Sequence, residues 1–159
     1  MTKVELRDVV DSDLASFWEQ QLDEVANHMA AFTVADPSDR AAFDDRWRRI
    51  LADDTLIKKA ILLDGQLVGS ISCHKWFGEP EIAYGVDRSE WGKGIASLAL
   101  ARFLEGVEER PLYARAAADN LGSIRVLEKC GFRRTGIERA FANARGEEID
   151  EAIFVLDSS

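Results

Sequence analysis

This sequence has few of the residues that build metal centres and disulfide frameworks. It contains two cysteines, Cys73 and Cys130, which lie far apart in the chain, and two isolated histidines. Structural zinc sites need several such ligands at short spacing, and disulfide scaffolds need more cysteines than this. We therefore expect neither a metal site nor a disulfide framework.

Long apolar segments are also lacking. The longest predominantly apolar run, IASLALA, has seven residues, whereas a helix that spans a bilayer needs about 20. The N-terminal segment MTKVELRDVVDSD is charged from its start and has no apolar stretch typical of a secretory signal. These features predict a cytoplasmic protein that does not associate with a membrane.

Positive charge is in the minority, because 20 basic residues face 29 acidic ones and the formal net charge is −9. This balance disfavours non-specific nucleic-acid binding, which needs cations that replace phosphate counterions. Long-range attraction would instead favour a cationic partner such as an amine. A high net charge also serves solubility alone, so both interpretations stay open.

The composition predicts one globular domain over residues 1–159. Hydrophobic residues make up 47% of the chain, there are three prolines, and we find no repeat or linker. The pattern of periodicities reads β, α, α, β, β, β, α, β, α, β, β. Alternating strands joined partly by helices predict a mixed, twisted sheet with helices on both faces, an α+β fold.

Two amphipathic helices are predicted near the N-terminus. The segment DSDLASFWEQQLDEVANHM is expected to form one helix, capped by Asp11 or Ser12. The second helix lies in DPSDRAAFDDRWRRILADD, where Asp36, Pro37 and Ser38 form a favourable helix entry. Their apolar stripes are interpreted as core rather than as binding surface: Leu14, Phe17, Trp18, Leu22, Val25 and Met29 in the first, and Phe43, Trp47, Ile50 and Leu51 in the second.

A hairpin and a crossover follow. Asp64-Gly65 is a strong hairpin signal between the strands IKKAILL and QLVGSIS. A helix from about Lys93 to Val107 then connects the strand in PEIAYGVD to the strand in PLYARAAA. Because a helical crossover joins parallel strands, these two should be parallel neighbours in the sheet.

The crossover helix begins with an unusual segment, EWGKGIASLALARF. A helix start carries unpaired N–H groups and a partial positive charge, so it favours an anion. Gly92 and Gly94 lack Cβ atoms and would let a phosphate approach, while Lys93 adds a cation. The alternative is a tight turn into a buried helix. The segment matches neither the Walker A pattern nor the dinucleotide fingerprint G-x-G-x-x-G.

A second helix start lies at the same edge of the predicted sheet. In NLGSIRVLEKCGF, Asn120 can cap the helix and Gly131 can end it in a left-handed conformation. Helix starts that follow neighbouring parallel strands lie outside the carboxyl ends of those strands, where open α/β sheets bind ligands. The two starts together therefore predict a ligand site.

These segments resemble the GNAT family of N-acetyltransferases, and within it the subgroup that acetylates the N-termini of ribosomal proteins. Three stretches carry the likeness: EIAYGVDRSEWGKGIASLAL, NLGSIRVLEKCGF and TGIERAFANARGEEIDEAIFVL. The resemblance covers nearly the whole chain. It implies a three-layer α/β/α sandwich whose sheet of about seven strands splays in a V between the fourth and fifth strands. Relatives are often dimers, so the resemblance admits a homodimer.

The resemblance also implies acetyl-CoA as co-substrate. Its diphosphate is expected on the backbone of the glycine-rich loop, at Gly92, Lys93, Gly94, Ile95 and Ala96. Many members have Gln or Arg where this chain has Ser89, and Arg88 is expected to take that role. The pantetheine arm should pair with the strand that carries Ile82, Tyr84 and Val86, and reach Asn120 and Ser123.

Transfer of an acetyl group to an amine needs a base, because an alkylammonium has a pKa near 10.4 and its nitrogen cannot attack while protonated. Glu81, at the start of the strand that borders the thioester, is the first candidate, and an exposed strand-end carboxylate is the alternative interpretation. His74 on the preceding strand is the second candidate. By resemblance Ser123 occupies the place of a serine general acid, and Leu127 stands where many members have a tyrosine.

The resemblance implies an acceptor site between the first two helices, the CHKWFGEP segment and the closing hairpin. Trp76 and Phe77 either line this site or pack at the end of a hairpin. The expected reaction is direct acetyl transfer from acetyl-CoA to a primary amine, either a protein N-terminus or a small molecule. The alternatives are a CoA-binding sensory module without turnover and a structural domain without ligand.

Overall fold

The computed structural model describes residues 3–76 and 78–157 of the chain. Within them, seven strands form one sheet: β1 (Val4–Asp8), β2 (Ile57–Leu63), β3 (Gln66–His74), β4 (Glu81–Val86), β5 (Leu112–Ala117), β6 (Arg133–Ala142) and β7 (Glu147–Leu156). The α-helices are α1 (Leu14–Gln21), α2 (Glu24–Ala30), α3 (Arg40–Ala52), α4 (Ile95–Glu105) and α5 (Leu121–Lys129). Short 3₁₀ turns at Asp11–Asp13 and Arg88–Glu90 precede α1 and α4.

The sheet has the mixed topology that the sequence predicted. Its strand order is β1-β2-β3-β4-β5-β7-β6, and neighbouring strands are antiparallel except β4 and β5, which are parallel. The Asp64-Gly65 hairpin is confirmed, since both residues have the positive φ angles, 49° and 84°, that a two-residue turn of this kind requires. Strand β2 spans the predicted segment IKKAILL, and β7 spans EEIDEAIFVL in the closing hairpin.

Helices cover both faces of the sheet and make it a three-layer sandwich, as expected. The main core lies between the sheet and the helices α4 and α5, which bury Leu100, Phe103 and Leu127. A smaller aromatic core on the opposite face joins α1 and α3 through Phe17, Phe43, Trp47 and Ile50. No helix in the described part of the chain is long and apolar enough to cross a bilayer.

The prediction of one long N-terminal helix is wrong, because the chain breaks at Asp23 into α1 and α2. The Asp23 carboxylate accepts hydrogen bonds from the backbone N–H groups of Val25 and Ala26, both at 3.0 Å, and so caps a new helix. The expected apolar stripe therefore ends with α1. Leu22, Val25 and Met29 are exposed rather than packed in the core.

Helix entries also differ from the prediction. Neither Asp11 nor Ser12 caps the first helix. Instead, buried Asp13 accepts from the backbone N–H of Val10 and from the guanidinium of Arg7 at 2.7 Å. Helix α3 is capped by Asp39, two residues after Pro37. Leu51, expected on the buried face of α3, is 41% exposed.

Candidate active site

The candidate site lies where β4 and β5 separate. The two parallel strands pair only at Glu81 with Tyr113 and at Ile82 with Ala114. Beyond Ile82, β4 continues to pair with β3 as far as Val86, while β5 pairs with β7 instead. The splay expected between the fourth and fifth strands is therefore present. It leaves one edge of β4, from Ala83 onward, without a strand partner.

Helix α4 begins at the wide end of this gap, and its start has the geometry of an anion cradle. Gly92 and Gly94 have φ angles of +79° and +78°, a left-handed conformation that residues with a Cβ rarely adopt. A Cβ placed at either position would meet nothing within 4 Å, so the space above both glycines is open. Gly94 is the N-cap, and the N–H groups of Ile95 and Ala96 in the first turn have no intrahelical partner. The site can accommodate a diphosphate at this backbone.

Helix α4 starts two residues later than predicted, at Ile95, because Lys93 belongs to the loop. The Lys93 ammonium lies 2.9 Å from Glu90, and its side chain is 58% exposed. The Arg88 guanidinium lies 3.0 Å from the Asp23 carboxylate that caps α2. Both cations expected near the phosphates are thus paired with carboxylates in this structure, and an anion at the loop would compete with those partners.

A surface cleft of about 350 Å³ lies between the first two helices and the end of β4. Gln20 of α1 fixes one wall, since its side-chain amide donates to the Val68 carbonyl at 3.1 Å and to the Asp87 carboxylate at 2.6 Å. The cleft is lined by Glu19, Gln20, Asp23, Ala26, Val86, Asp87, Arg88 and Ser89. None of these lining residues belongs to the CHKWFGEP segment or to the closing hairpin, which were also expected at the acceptor site.

The start of α5 brings Ser123 and Tyr84 together. Asn120 caps the helix as predicted, and its side-chain oxygen accepts from the Ser123 N–H at 3.2 Å. The Ser123 hydroxyl lies 2.8 Å from the Tyr84 hydroxyl across the main core. Burial raises the pKa of Tyr84 to about 12, so the phenol stays protonated at neutral pH. Gly131, with a φ of +95°, follows the helix end as expected.

Tyr84 and Val86 make contacts that the sequence did not predict. Tyr84 was expected to meet a ligand through its backbone, yet its side chain holds Ser123 in place. The Val86 carbonyl accepts a hydrogen bond from the Trp91 indole at 2.9 Å. Ile82 is buried in the main core, so only its backbone can reach the gap.

Glu81 lies at the point where the strands part, within a cluster of charged side chains that extends over strands β4, β5, β6 and β7. Its carboxylate contacts the Arg115 guanidinium on β5 at 3.2 Å, and Arg115 also contacts Glu138 at 2.9 Å and Glu151 at 3.3 Å. His74, directly opposite Glu81 on β3, places Nε2 at 3.6 Å from the carboxylate. Neither Arg115 nor its contacts with these three carboxylates were predicted from the sequence.

The environment of Glu81 favours its protonated form. Burial raises the pKa of the Glu81 carboxyl, Arg115 opposes this by attraction, and nearby Glu151 adds to it. The His74 pKa is lowered by burial and by the positive charges of Lys58 and Arg46, so the imidazole is neutral near pH 7. A carboxylate with a raised pKa next to a neutral imidazole is suited to accept a proton.

Trp76 packs over this cluster. Its ring stacks on His74 with centroids 4.0 Å apart, while half of its surface stays exposed. Phe77, the other aromatic residue expected at this place, lies outside the described residues. In the parts of the chain that the structure describes, no group of three or more His, Cys, Asp or Glu side chains could hold a metal ion.

Comparison with known proteins gives consistent matches. A profile of the acetyltransferase (GNAT) domain matches residues 3–133. The uncharacterized N-acetyltransferase p20 of Bacillus licheniformis is 31% identical over 83 residues, 50% of this chain and 47% of that protein. The putative ribosomal N-acetyltransferase YdaF of Bacillus subtilis is 32% identical over 117 residues, 69% of this chain and 64% of that protein. These matches therefore span about half to two thirds of the relatives' length.

A solved structure from the same group of proteins is similar to this chain over most of its length. Mycobacterium smegmatis RimJ, crystallised with CoA-disulfide, superposes with a TM-score of 0.80 at 25% identity. The superposition covers 97% of this chain and 81% of that one.

Proposed function

Because this chain belongs to the GNAT acetyltransferase family, whose co-substrate is acetyl-CoA, we propose that it transfers the acetyl group to a primary amine by direct attack. The observation that carries this proposal is the open gap between β4 and β5, with the α4 start at its wide end and Glu81 at its narrow end. The similar M. smegmatis protein binds a CoA derivative, which supports the same use of the gap.

The coenzyme would be held mainly by backbone groups. The diphosphate would lie on the N–H groups of Gly92, Lys93, Gly94, Ile95 and Ala96, and Arg88 would exchange Asp23 for a phosphate oxygen. The pantetheine would pair with β4 between Ile82 and Val86, along the edge that is free from Ala83 onward, and reach Asn120. The first-turn amides and the helix dipole supply the attraction, so the site needs few side-chain cations.

Acetyl transfer would proceed in one ternary complex. Glu81 would take a proton from the ammonium, directly or through a water molecule, and the freed nitrogen would attack the thioester carbonyl. A backbone N–H near Ala83 or Tyr84 would stabilise the charge that develops on the carbonyl oxygen. As the new C–N bond forms and the C–S bond breaks, the nitrogen would lose its second proton to solvent. Ser123, whose hydroxyl lies 2.8 Å from that of Tyr84, would donate a proton to the leaving sulfur and regain one from solvent.

The activity test is a panel of amines with acetyl-CoA, in which release of the free thiol is followed. We expect turnover with at least one class among peptide N-termini, amino acids, alkylamines and polyamines, and a rise in melting temperature with acetyl-CoA alone. If the protein binds CoA tightly but turns over none of these amine classes, the proposed enzymatic activity is contradicted and a sensory module is favoured. Absence of both effects would contradict a coenzyme site.

Ser123→Ala is expected to lower kcat by no more than about tenfold. A thiol with an ordinary pKa near 8.5 leaves readily as a thiolate, so it needs little help from an acid. Steady-state thiol release measures this, with Tyr84→Phe as the companion variant because it removes only the hydroxyl group that contacts Ser123. A loss above a hundredfold in Ser123→Ala would show that proton donation to sulfur limits the reaction.

A further inference from the structure

Two cations near the face of the sheet that carries Glu81 have no carboxylate partner in the described part of the chain. Among the described residues, no carboxylate lies within 4.0 Å of Arg46 on α3 or Lys58 on β2, although their neighbours Arg48, Arg49 and Lys59 each contact an aspartate. Both unpaired side chains are partly buried. In a chain with 29 acidic and 20 basic residues, two such cations without a counterion are unexpected.

The packing around Lys58 makes its charge costly. A cation–π contact with Trp47 of the small aromatic core, whose ring centre lies 5.1 Å from the ammonium, offsets part of that cost. Burial, with a further contribution from the positive charge of Arg46, lowers the pKa of Lys58 to about 8. An uncompensated charge in such a place destabilises a protein unless a ligand or partner neutralises it.

The register of the sheet places Lys58 on the acceptor side of the candidate site. Lys58 is directly opposite Ser72 on β3, and Ser72 is directly opposite Ala83 on β4, so these three residues share one face. At about 4.8 Å between strands, Lys58 lies two strands, roughly 10 Å, from Ala83. His74 and Glu81 belong to the same face, next to this row.

The two ends of this face carry opposite charge. Arg46 and Lys58 lie at one end, and at the other the carboxylates of Glu81, Glu138 and Glu151 surround a single guanidinium. A molecule with an ammonium at one end and an anion at the other is complementary to this arrangement. A diamine would instead place its second cation beside Arg46 and Lys58.

We propose that Arg46 and Lys58 form a subsite for the carboxylate of the acceptor, so that the substrate is an amino acid or a similar short amine that also carries a carboxylate. This inference rests on the proposed acetyl transfer and names its acceptor class. The ammonium of such a substrate would lie toward Glu81, and its carboxylate would neutralise the two unpaired cations.

The test compares three acceptors of equal chain length that end in a carboxylate, a methyl group or a second ammonium. With the wild-type protein, we expect KM for the ω-amino acid to be at least about tenfold below KM for the alkylamine and the diamine. Lys58→Met should raise KM for the amino acid about tenfold and leave KM for the alkylamine within twofold, and Lys58→Arg should restore most of the difference. Arg48→Met, on the same helix as Arg46 but exposed and paired with Asp45, is the matched control and should change neither value.

Equal KM values for the three acceptors in the wild type, or a preference for the diamine, would overturn the carboxylate subsite while acetyl transfer itself stands. An equal rise in KM for all three acceptors in Lys58→Met would also overturn the carboxylate subsite. If no acceptor is turned over, the proposed function fails, and the subsite is judged by melting temperature with glutarate as probe. A glutarate-dependent rise in melting temperature that occurs in the wild type and not in Lys58→Met would support the anion site. Absence of this rise in the wild type would overturn it.

Discussion

Glu81→Gln is expected to lower kcat by about 100- to 10,000-fold, the range typical for loss of a positioned general base. The substitution keeps the size of the side chain and a hydrogen-bond acceptor for Arg115, but it removes the group that can take a proton. Thiol release at saturating acetyl-CoA and amine measures the effect. The melting temperature of the variant reports whether the contact with Arg115 at 3.2 Å was needed for stability.

The pH dependence gives this prediction a second readout. Below its pKa the Glu81 carboxyl is protonated and cannot accept a proton, so activity should fall as the pH is lowered through that pKa. Because burial raises the pKa, against the attraction of Arg115, this fall should occur above the range of an exposed glutamate. In Glu81→Gln the fall should disappear, leaving only the dependence due to protonation of the amine itself.

Glu79→Gln is the matched control, because Glu79 is an exposed residue two positions earlier in the chain. It should leave both kcat and the pH profile unchanged. A loss below about fivefold in Glu81→Gln, with the acidic fall in activity still present, would mean that Glu81 is a strand-end partner of Arg115 and that another group takes the proton. His74, 3.6 Å away, would then be the next residue to test.

The order of the elements along the chain and the pairing of some neighbouring strands could be predicted because local signals agree with one another. Asp64-Gly65 determines the first hairpin, and the segment IKKAILL predicted before it is β2. The parallel pairing of β4 and β5 follows from the crossover helix between them. These features depend on contacts within short stretches of chain, which is why sequence reasoning finds them.

The break at Asp23 could not be predicted in the same way. An aspartate on the polar side of an amphipathic pattern is compatible with a continuing helix. What stops the helix is a pair of contacts, to the N–H groups of the next turn and to Arg88, which is 65 residues away. The second contact exists only once the end of β4 is packed beside α1, so it is a tertiary effect.

The charged cluster around Arg115 was missed for a related reason. Its partners Glu81, Glu138 and Glu151 come from three other strands, and they meet only because β5 pairs with β7 beyond the splay. Sequence pattern places each residue on a strand, but it does not give the lateral order of distant strands. The contact between Tyr84 and Ser123 likewise needs α5 to pack across the sheet.

The second large effect is expected at the start of α4, where Gly94→Glu should raise the dissociation constant of acetyl-CoA by about a hundredfold or more. A carboxylate at the N-cap would occupy the open space above the backbone and compete with the diphosphate for the same N–H groups. A hundredfold corresponds to about 2.7 kcal/mol, comparable to the loss of one or two hydrogen bonds to a charged group. Calorimetric titration with acetyl-CoA measures it.

Two variants separate the negative charge from the strain of a side chain at positive φ. Gly94→Ala adds only a Cβ to a residue with φ of +78°, so it should lower the free energy of unfolding by about 1 kcal/mol. It should also weaken the binding of acetyl-CoA less than Gly94→Glu does. Gly146→Glu makes the same substitution at φ of +68° in the β6–β7 hairpin, where a Cβ also meets nothing within 4 Å. It should destabilise the fold to a similar degree and leave coenzyme affinity unchanged. If Gly94→Glu binds acetyl-CoA as tightly as Gly146→Glu does, the diphosphate does not lie on the backbone at this helix start, and the assignment of Gly92 to Ala96 fails with it.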